Sequence, residues 1–254
     1  MKPVCSPEDM FADIMEAGLI PFFANHIPGY SIEDLTPRDY WFDGDELGPW
    51  DWKIFAVQSG RVAYGKFLLG GKAAFASEEC YRHLMNWRRN ASPAPMKKGK
   101  VKGGGNKAKA VEEEGMAGCI MDFVRKNGSC STADVRRLLG IRKAAADNLV
   151  ARLQHRTLLV IGDFERVYRG ADLHYSGWQR ATFCRPEDLF GDPSDAPVPG
   201  PFAAFESFAS DVAEAEDTGG PGDCTPQESY SFLVSRIRSL APSATDSDIA
   251  RILA

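Results

Sequence analysis

The chain has no apolar run near the roughly 18 to 20 residues that a membrane-spanning helix needs, so no membrane partner is expected. Its first residues, Met1-Lys2-Pro3-Val4-Cys5-Ser6, lack the apolar core of a signal peptide, which makes the cytoplasm the expected compartment. Six cysteines (Cys5, Cys80, Cys119, Cys130, Cys184, Cys224) include no close CxxC pair and no His at ligand spacing. A structural zinc site is therefore not expected, no cofactor is implied, and free thiols suit a reducing compartment. Cys119 falls beside the apolar face of a helix and reads as a small buried hydrophobe. Histidine is scarce: His26, His83, His155 and His174 are too dispersed for a triad or a metal site and read as structural or surface residues. Positive charge is also in deficit overall, 30 Lys and Arg against 35 Asp and Glu, so affinity for a polyanion would require a local concentration of cations.

Such a concentration lies in the middle of the chain. From Arg125 to Arg185 there are about twelve Lys and Arg against five Asp and Glu, a surplus of about seven positive charges. The same region has a recognisable order of elements. Met116, Ile120, Phe123 and Val124 recur at helical spacing up to Asn127-Gly128, a pair suited to closing a helix. Ser131 or Thr132 can cap a second, short helix through Val135, Leu138 and Leu139 that stops at Gly140. A third helix from about Arg142 to His155 buries Ala146, Leu149, Val150 and Leu153 and leaves Arg142, Lys143, Asn148 and Arg152 on other sides. Leu158 to Ile161 has strand length; after Gly162-Asp163, Phe164 to Arg169 resumes, and Trp178 to Phe183 alternates as a returning strand.

Helix, short helix, helix, hairpin is the order of a winged helix-turn-helix, a module that places its third helix in a DNA groove. Duplex DNA is thus the expected partner, with Arg142, Lys143, Asn148 and Arg152 at the groove and Arg166, Arg169 and Arg180 of the wing on phosphate or minor groove. The alternative is a protein-interaction winged helix with an ordinary solvated basic face. Oligomeric state is not legible.

At 254 residues the chain can hold two modest domains. The expected fold class is α+β and mainly helical, in five segments. Residues 1–91 form an N-terminal helical and β-hairpin domain, with a second, degenerate winged helix as the other reading. Residues 92–110 are a Lys/Gly-rich linker, 111–191 the winged helix, 192–224 an acidic Pro/Ala/Gly-rich linker and 225–254 a C-terminal helical hairpin. In the first segment, Ser6 can open a helix that ends at Gly18, Ser31 to Leu35 offers a turn, and Arg61 to Leu68 can pair with Lys72 to Ala76 around Gly70-Gly71. Ser77 can cap a helix to Arg88-Arg89. Between these, Tyr40, Trp41, Phe42, Trp50, Trp52 and Phe55 crowd together. Aromatics of this density are core, or else a pocket that stacks a flat ligand, with Trp50, Trp52, Tyr64 and Lys66 as its lining.

Several blocks resemble the winged-helix DNA glycosylases of AlkZ or YcaQ type. Leu47-Gly48-Pro49-Trp50-Asp51 is similar to that family's LGPYD. Tyr64 to Phe67, Lys72 to Phe75 and Asn86-Trp87-Arg88-Arg89 follow its FEYWAHEA and RWRM blocks, and Gly162 to Arg169 echoes its wing. The resemblance implies DNA repair as the setting and base excision by a Gln-x-Gln or Gln-x-Asp motif as the family chemistry. Here Gly18-Leu19-Ile20-Pro21-Phe22-Phe23 stands at that motif, and the family's YWAH histidine is missing near Lys66-Phe67. Phenylalanine neither accepts a proton nor positions water, so the resemblance implies a DNA-binding relative without base excision, or a different chemistry in the same pocket. Asp51 and Lys53 are the catalytic candidates, because a carboxylate beside aromatics can have its pKa raised enough to serve as general acid or base. Asp43, Asp45 and Glu46 read as a solvated turn.

Overall fold

The structure, a computed structural model, describes residues 2–42, 48–91, 105–169, 174–190 and 224–254, with side chains described throughout these except at 42, 105–112, 168, 169 and 174–178. The Lys/Gly-rich stretch up to residue 104, nearly all of the acidic segment, and Asp43, Asp45 and Glu46 lie outside the described residues.

Local chemistry sets most element ends. Helix α1 (Pro7–Ala17) starts at Ser6, whose hydroxyl accepts the Asp9 N–H, and stops at Gly18 with φ +69. Strand β1 (Leu19–Pro21) follows, then α2 (Ile32–Leu35) capped by Ser31, α3 (Asp39–Phe42) and α4 (Pro49–Gln58). Gly48 precedes α4 at a position where a Cβ would lie 2.2 Å from the Tyr40 carbonyl oxygen, so only glycine lets α3 and α4 meet there. Strands β2 (Val62–Leu68) and β3 (Lys72–Ser77) form a hairpin across Gly70-Gly71, and Ser77 caps α5 (Glu78–Asn90).

The central order is as expected from periodicity, with some differences. Helix α6 (Gly105–Asn127) begins inside the stretch assigned to the linker, and β4 (Cys130–Ser131) precedes α7 (Thr132–Leu139). A reciprocal capping box between Ser131 and Asp134 opens α7, and Gly140 in the left-handed conformation closes it. Helix α8 (Lys143–His155) buries Ala146, Leu149, Val150 and Leu153. Strand β5 (Val160–Arg169) runs straight through Gly162-Asp163, where a register shift against β6 (His174–Cys184) replaces the expected break. A Cβ at 162 would come within 2.5 Å of the Cys184 sulfur, so glycine at that bulge spares the Cys184 side chain a shift. Cys119 is exposed rather than buried, and Leu138 is also exposed, because both fall on the solvent side of their helices.

Helices α9 (Pro186–Phe190), α10 (Pro226–Leu240) and α11 (Asp246–Leu253) complete the described chain. Capping boxes at Thr225 and Thr245 start the last two. The C-terminus docks on the hairpin turn: Leu69 N–H donates to the Ile252 carbonyl (2.9 Å) and Gly70 N–H to that of Ala254 (2.7 Å).

The six strands form one antiparallel sheet in the order β1-β3-β2-β5-β6-β4. A pairing of Tyr64 with Ile161 joins the N-terminal hairpin to the later one. Alternation along the strands then divides two cores. Ala63, Phe67, Ala74, Ala76 and Val160 pack with α5, α10 and α11, whereas Tyr64, Phe75, Ile161, Phe164 and Phe183 pack with α1, α4 and α6 to α8. The second core therefore draws on sequence from both ends of the sheet, and its aromatic part lies under α4.

Candidate functional site

Helix α4 runs along the seam between the two hairpins. Trp50 and Lys53, three residues apart, share one side of it. Lys53 is 7% exposed, and its ammonium lies 4.7 Å from the Trp50 ring centroid, 5.1 Å from that of Phe164 and 6.0 Å from that of Phe22. Burial pushes its pKa down to about 8, against an opposing pull from the Asp51 carboxylate. The rings attract the cation and act against this desolvation. No described residue accepts a hydrogen bond from it.

Phe22 is the hub of the surrounding rings. Its centroid is 4.9 Å from Phe23, 5.5 Å from Trp41, 5.6 Å from Trp50, 5.8 Å from Phe75 and 5.9 Å from Tyr64, all edge to face. Phe22, Tyr64 and Phe75 are buried; Phe23 at 37% and Trp50 at 44% form an exposed rim. Trp41 Nε1 is sealed from solvent without a hydrogen-bond partner. The Tyr64 phenol is held protonated, its pKa raised by burial.

Of the four expected lining residues, the structure brings two together. Trp50 and Tyr64 meet at Phe22, whereas Trp52 is buried against Tyr40 (5.3 Å) in the core. Lys66 is exposed on β2, and its backbone N–H donates to Gln154 Oε1 (3.0 Å). Alternation alone would place 66 on the side of buried Tyr64; 66 is the one exposed residue of β2 and falls where the register with β3 shifts, between Gly65 and Leu68.

The two catalytic candidates also differ in surroundings. Asp51 Oδ1 faces Arg166 Nη2 at 3.5 Å, and two further bonds fasten α4 to the hairpin of β5 and β6: Gln179 Nε2 to the Trp50 carbonyl (2.9 Å) and Gln58 Nε2 to Asp163 Oδ1 (2.8 Å). Arg166, expected on phosphate or the minor groove, turns toward α4. Arg180 is exposed and 3.9 Å from Glu165, and the Arg169 side chain lies outside the described residues.

On α8, Arg142, Lys143 and Asn148 are exposed, and neither cation pairs with a described acid. Arg152, lower on the helix, pairs with Glu113 of α6, and Arg156 just beyond it pairs with Glu114 at 2.9 Å. The Arg156 bond holds the Glu114 carboxyl below its usual range. The positive charge of this unit is therefore greatest at the start of α8 and is neutralised toward its end.

Sequence reasoning did not find Phe22 and Phe164 as walls of a lysine site, nor Asp13. Asp13 is buried on α1 with its Oδ2 unpartnered, and desolvation raises its pKa to about 6. Its signal was present: an acid among Met10, Phe11, Ile14 and Met15, all buried. The Arg88-Arg89 pair of the resemblance is structural, since Arg88 donates to the His155 and Leu253 carbonyls (2.7 Å each) and Arg89 to Glu187 and the Thr157 carbonyl. His83 is likewise structural, stacked on Phe232 at 4.0 Å with Nδ1 3.0 Å from Ser229 Oγ. Among the described residues, no three His, Cys, Asp or Glu side chains are grouped to hold a metal, and no helix is long and apolar enough to cross a membrane.

This is a mixed α/β protein built on one antiparallel sheet, with a lysine enclosed by aromatic rings at the seam of its two hairpins. The chain matches the AlkZ-related family over residues 4–194 and belongs to it. No curated protein and no solved structure matches it.

Proposed function

We propose that this is a duplex-DNA-binding protein related to the DNA-repair glycosylases, working without the family's glutamine-based excision chemistry. The stretch from α6 to residue 191 acts as a winged helix on a body made of 1–91 and 225–254. The observation that carries the reading is the family match together with the exposed start of α8, where Arg142 and Lys143 have no described counter-ion and Asn148 stands free to reach a base edge. Arg142 and Lys143 bind phosphate; Arg169 and Arg180 extend the contact along the wing. Arg152 contributes less, because its charge is already met by Glu113. Base excision by the usual motif is absent because Phe22, at that motif's place, is a buried hub of rings.

The test is duplex binding at several salt concentrations. Changing Arg142 and Lys143 to Ala together is expected to weaken binding and to flatten the slope of log K against log salt by about two units, since each phosphate contact contributes roughly 0.9. Unchanged affinity in that double variant would reject the assignment.

A second reading is favoured by the enclosed Lys53: an enzyme on damaged DNA with a non-standard site in which Lys53 reacts and Asp51 positions the Arg166 guanidinium beside it. Trp50 and Phe23 then stack the nucleotide presented to the amine.

A further inference from the structure

We infer that Lys53 is an amine nucleophile for an aldehyde, in the first instance the ring-opened deoxyribose of an abasic site in duplex DNA. The inference deepens the second reading and rests on it.

Geometry supplies the argument. A buried lysine with a structural role has an acceptor: a carboxylate or a carbonyl holds its ammonium. Lys53 has none among the described residues, and three aromatic rings surround it instead. Lys53 keeps 7% of its surface exposed, and the ring nearest its Nζ, that of Trp50 at 4.7 Å, is 44% exposed. Phe23, also exposed, lies beside Trp50 at 5.8 Å between ring centroids. The site thus presents one reactive nitrogen between flat apolar surfaces. An apolar setting favours the neutral amine, the form that attacks a carbonyl, and the lowered pKa of Lys53 agrees with this.

The step balances without a further reactant. The Lys53 nitrogen adds to the aldehyde carbon (C1′ of the abasic sugar), forming a C–N bond and a carbinolamine. The carbonyl oxygen then leaves as water with the two protons that the amine nitrogen gives up, and an imine results. Asp51 is not the nucleophile: its carboxylate faces the Arg166 guanidinium at 3.5 Å.

The experiment uses the full chain with a duplex carrying one abasic site, in the presence of sodium borohydride, which reduces an imine to a stable secondary amine. A covalent protein–DNA adduct is expected, mapped by peptide mass spectrometry to Lys53 and reduced at least about tenfold in Lys53→Met, in line with loss of the attacking group. Binding of the same duplex is measured in parallel without reductant, for both proteins, so that a folding defect is seen as lost binding. If the wild-type protein binds the duplex and forms no adduct, or if the adduct maps to the lysines between Lys97 and Lys109, the inference fails while the DNA-binding reading stands. If the wild-type protein does not bind the duplex, the DNA-binding reading fails. A second arm then decides the amine chemistry alone: reductive alkylation with propionaldehyde and cyanoborohydride at pH 7.5. Labelling of Lys53 about tenfold faster than surface lysines, as a depressed pKa favours, would assign it to a small aldehyde. Slowest labelling at Lys53 would overturn the inference.

Discussion

The start of α8 and the seam under α4 differ in how charge is treated. At α8, cations are solvated: Arg142 and Lys143 project into water, while Arg152 and Arg156 meet glutamates of α6 from about forty residues earlier in the chain. At the seam, one cation is almost wholly withdrawn from water and given rings in place of a counter-ion. Solvated ion pairs change stability little but cancel the outward field, whereas an unpaired buried amine costs stability and gains reactivity. A count of charges along the sequence treats the two alike.

The contrast is open to measurement. The largest effect is expected at the hub of the seam: Phe22→Ala removes a fully buried ring touching five others and should lower unfolding free energy by about 3 to 5 kcal/mol in urea denaturation. A loss under about 1 kcal/mol would mean that the cluster is not tightly packed.

Lys53→Met is expected to act in the opposite direction. The folded pKa of about 8 lies below the ordinary lysine value of 10.5, so folding a charged Lys53 is costly below pH 8, and the cost disappears as pH rises from 8 through 10.5. The substitution should therefore stabilise the protein by about 1 to 3 kcal/mol at pH 7, the attraction of the rings for the cation offsetting part of the full shift. That gain should shrink toward zero by pH 10.5, as denaturation at both pH values would reveal. A destabilised variant at pH 7 would make Lys53 a structural cation.

The smallest stability effect belongs to α8. Changing Glu113 and Glu114 together to Gln removes two exposed-side pairs and should alter stability by less than about 1 kcal/mol. On the proposed function, the same variant should bind duplex more tightly and steepen the salt dependence by up to about two units, because Arg152 and Arg156 are released. No change in the salt slope would show that the end of α8 does not approach phosphate.

Much of the fold was legible because its signals are local. Ser6, Ser77, Ser131 and Thr225 mark helix starts through side-chain caps, Gly18 and Gly140 mark ends through positive φ, and alternation in β2 and β3 marks the first hairpin. The continuous β5 was not legible: Gly162-Asp163 reads as a turn until the Cys184 side chain opposite explains the glycine. Of the candidate site, Trp50 was found because it belongs to the crowd of aromatics from Tyr40 to Phe55, and Lys53 because it stands beside Asp51 and those rings in sequence. Phe22 was read as a lost catalytic position, and Phe164 only as part of a strand, because their role depends on contacts with α4.

By itself, the sequence determined the caps, the periodic faces and the list of cations, since each depends on residues within a few positions of one another. Only the tertiary structure decided which cations keep their charge in water and which lysine loses its hydration. Those outcomes depend on groups brought from 31 and 111 residues away, Phe22 and Phe164 around Lys53, by strand pairings that no local pattern specifies.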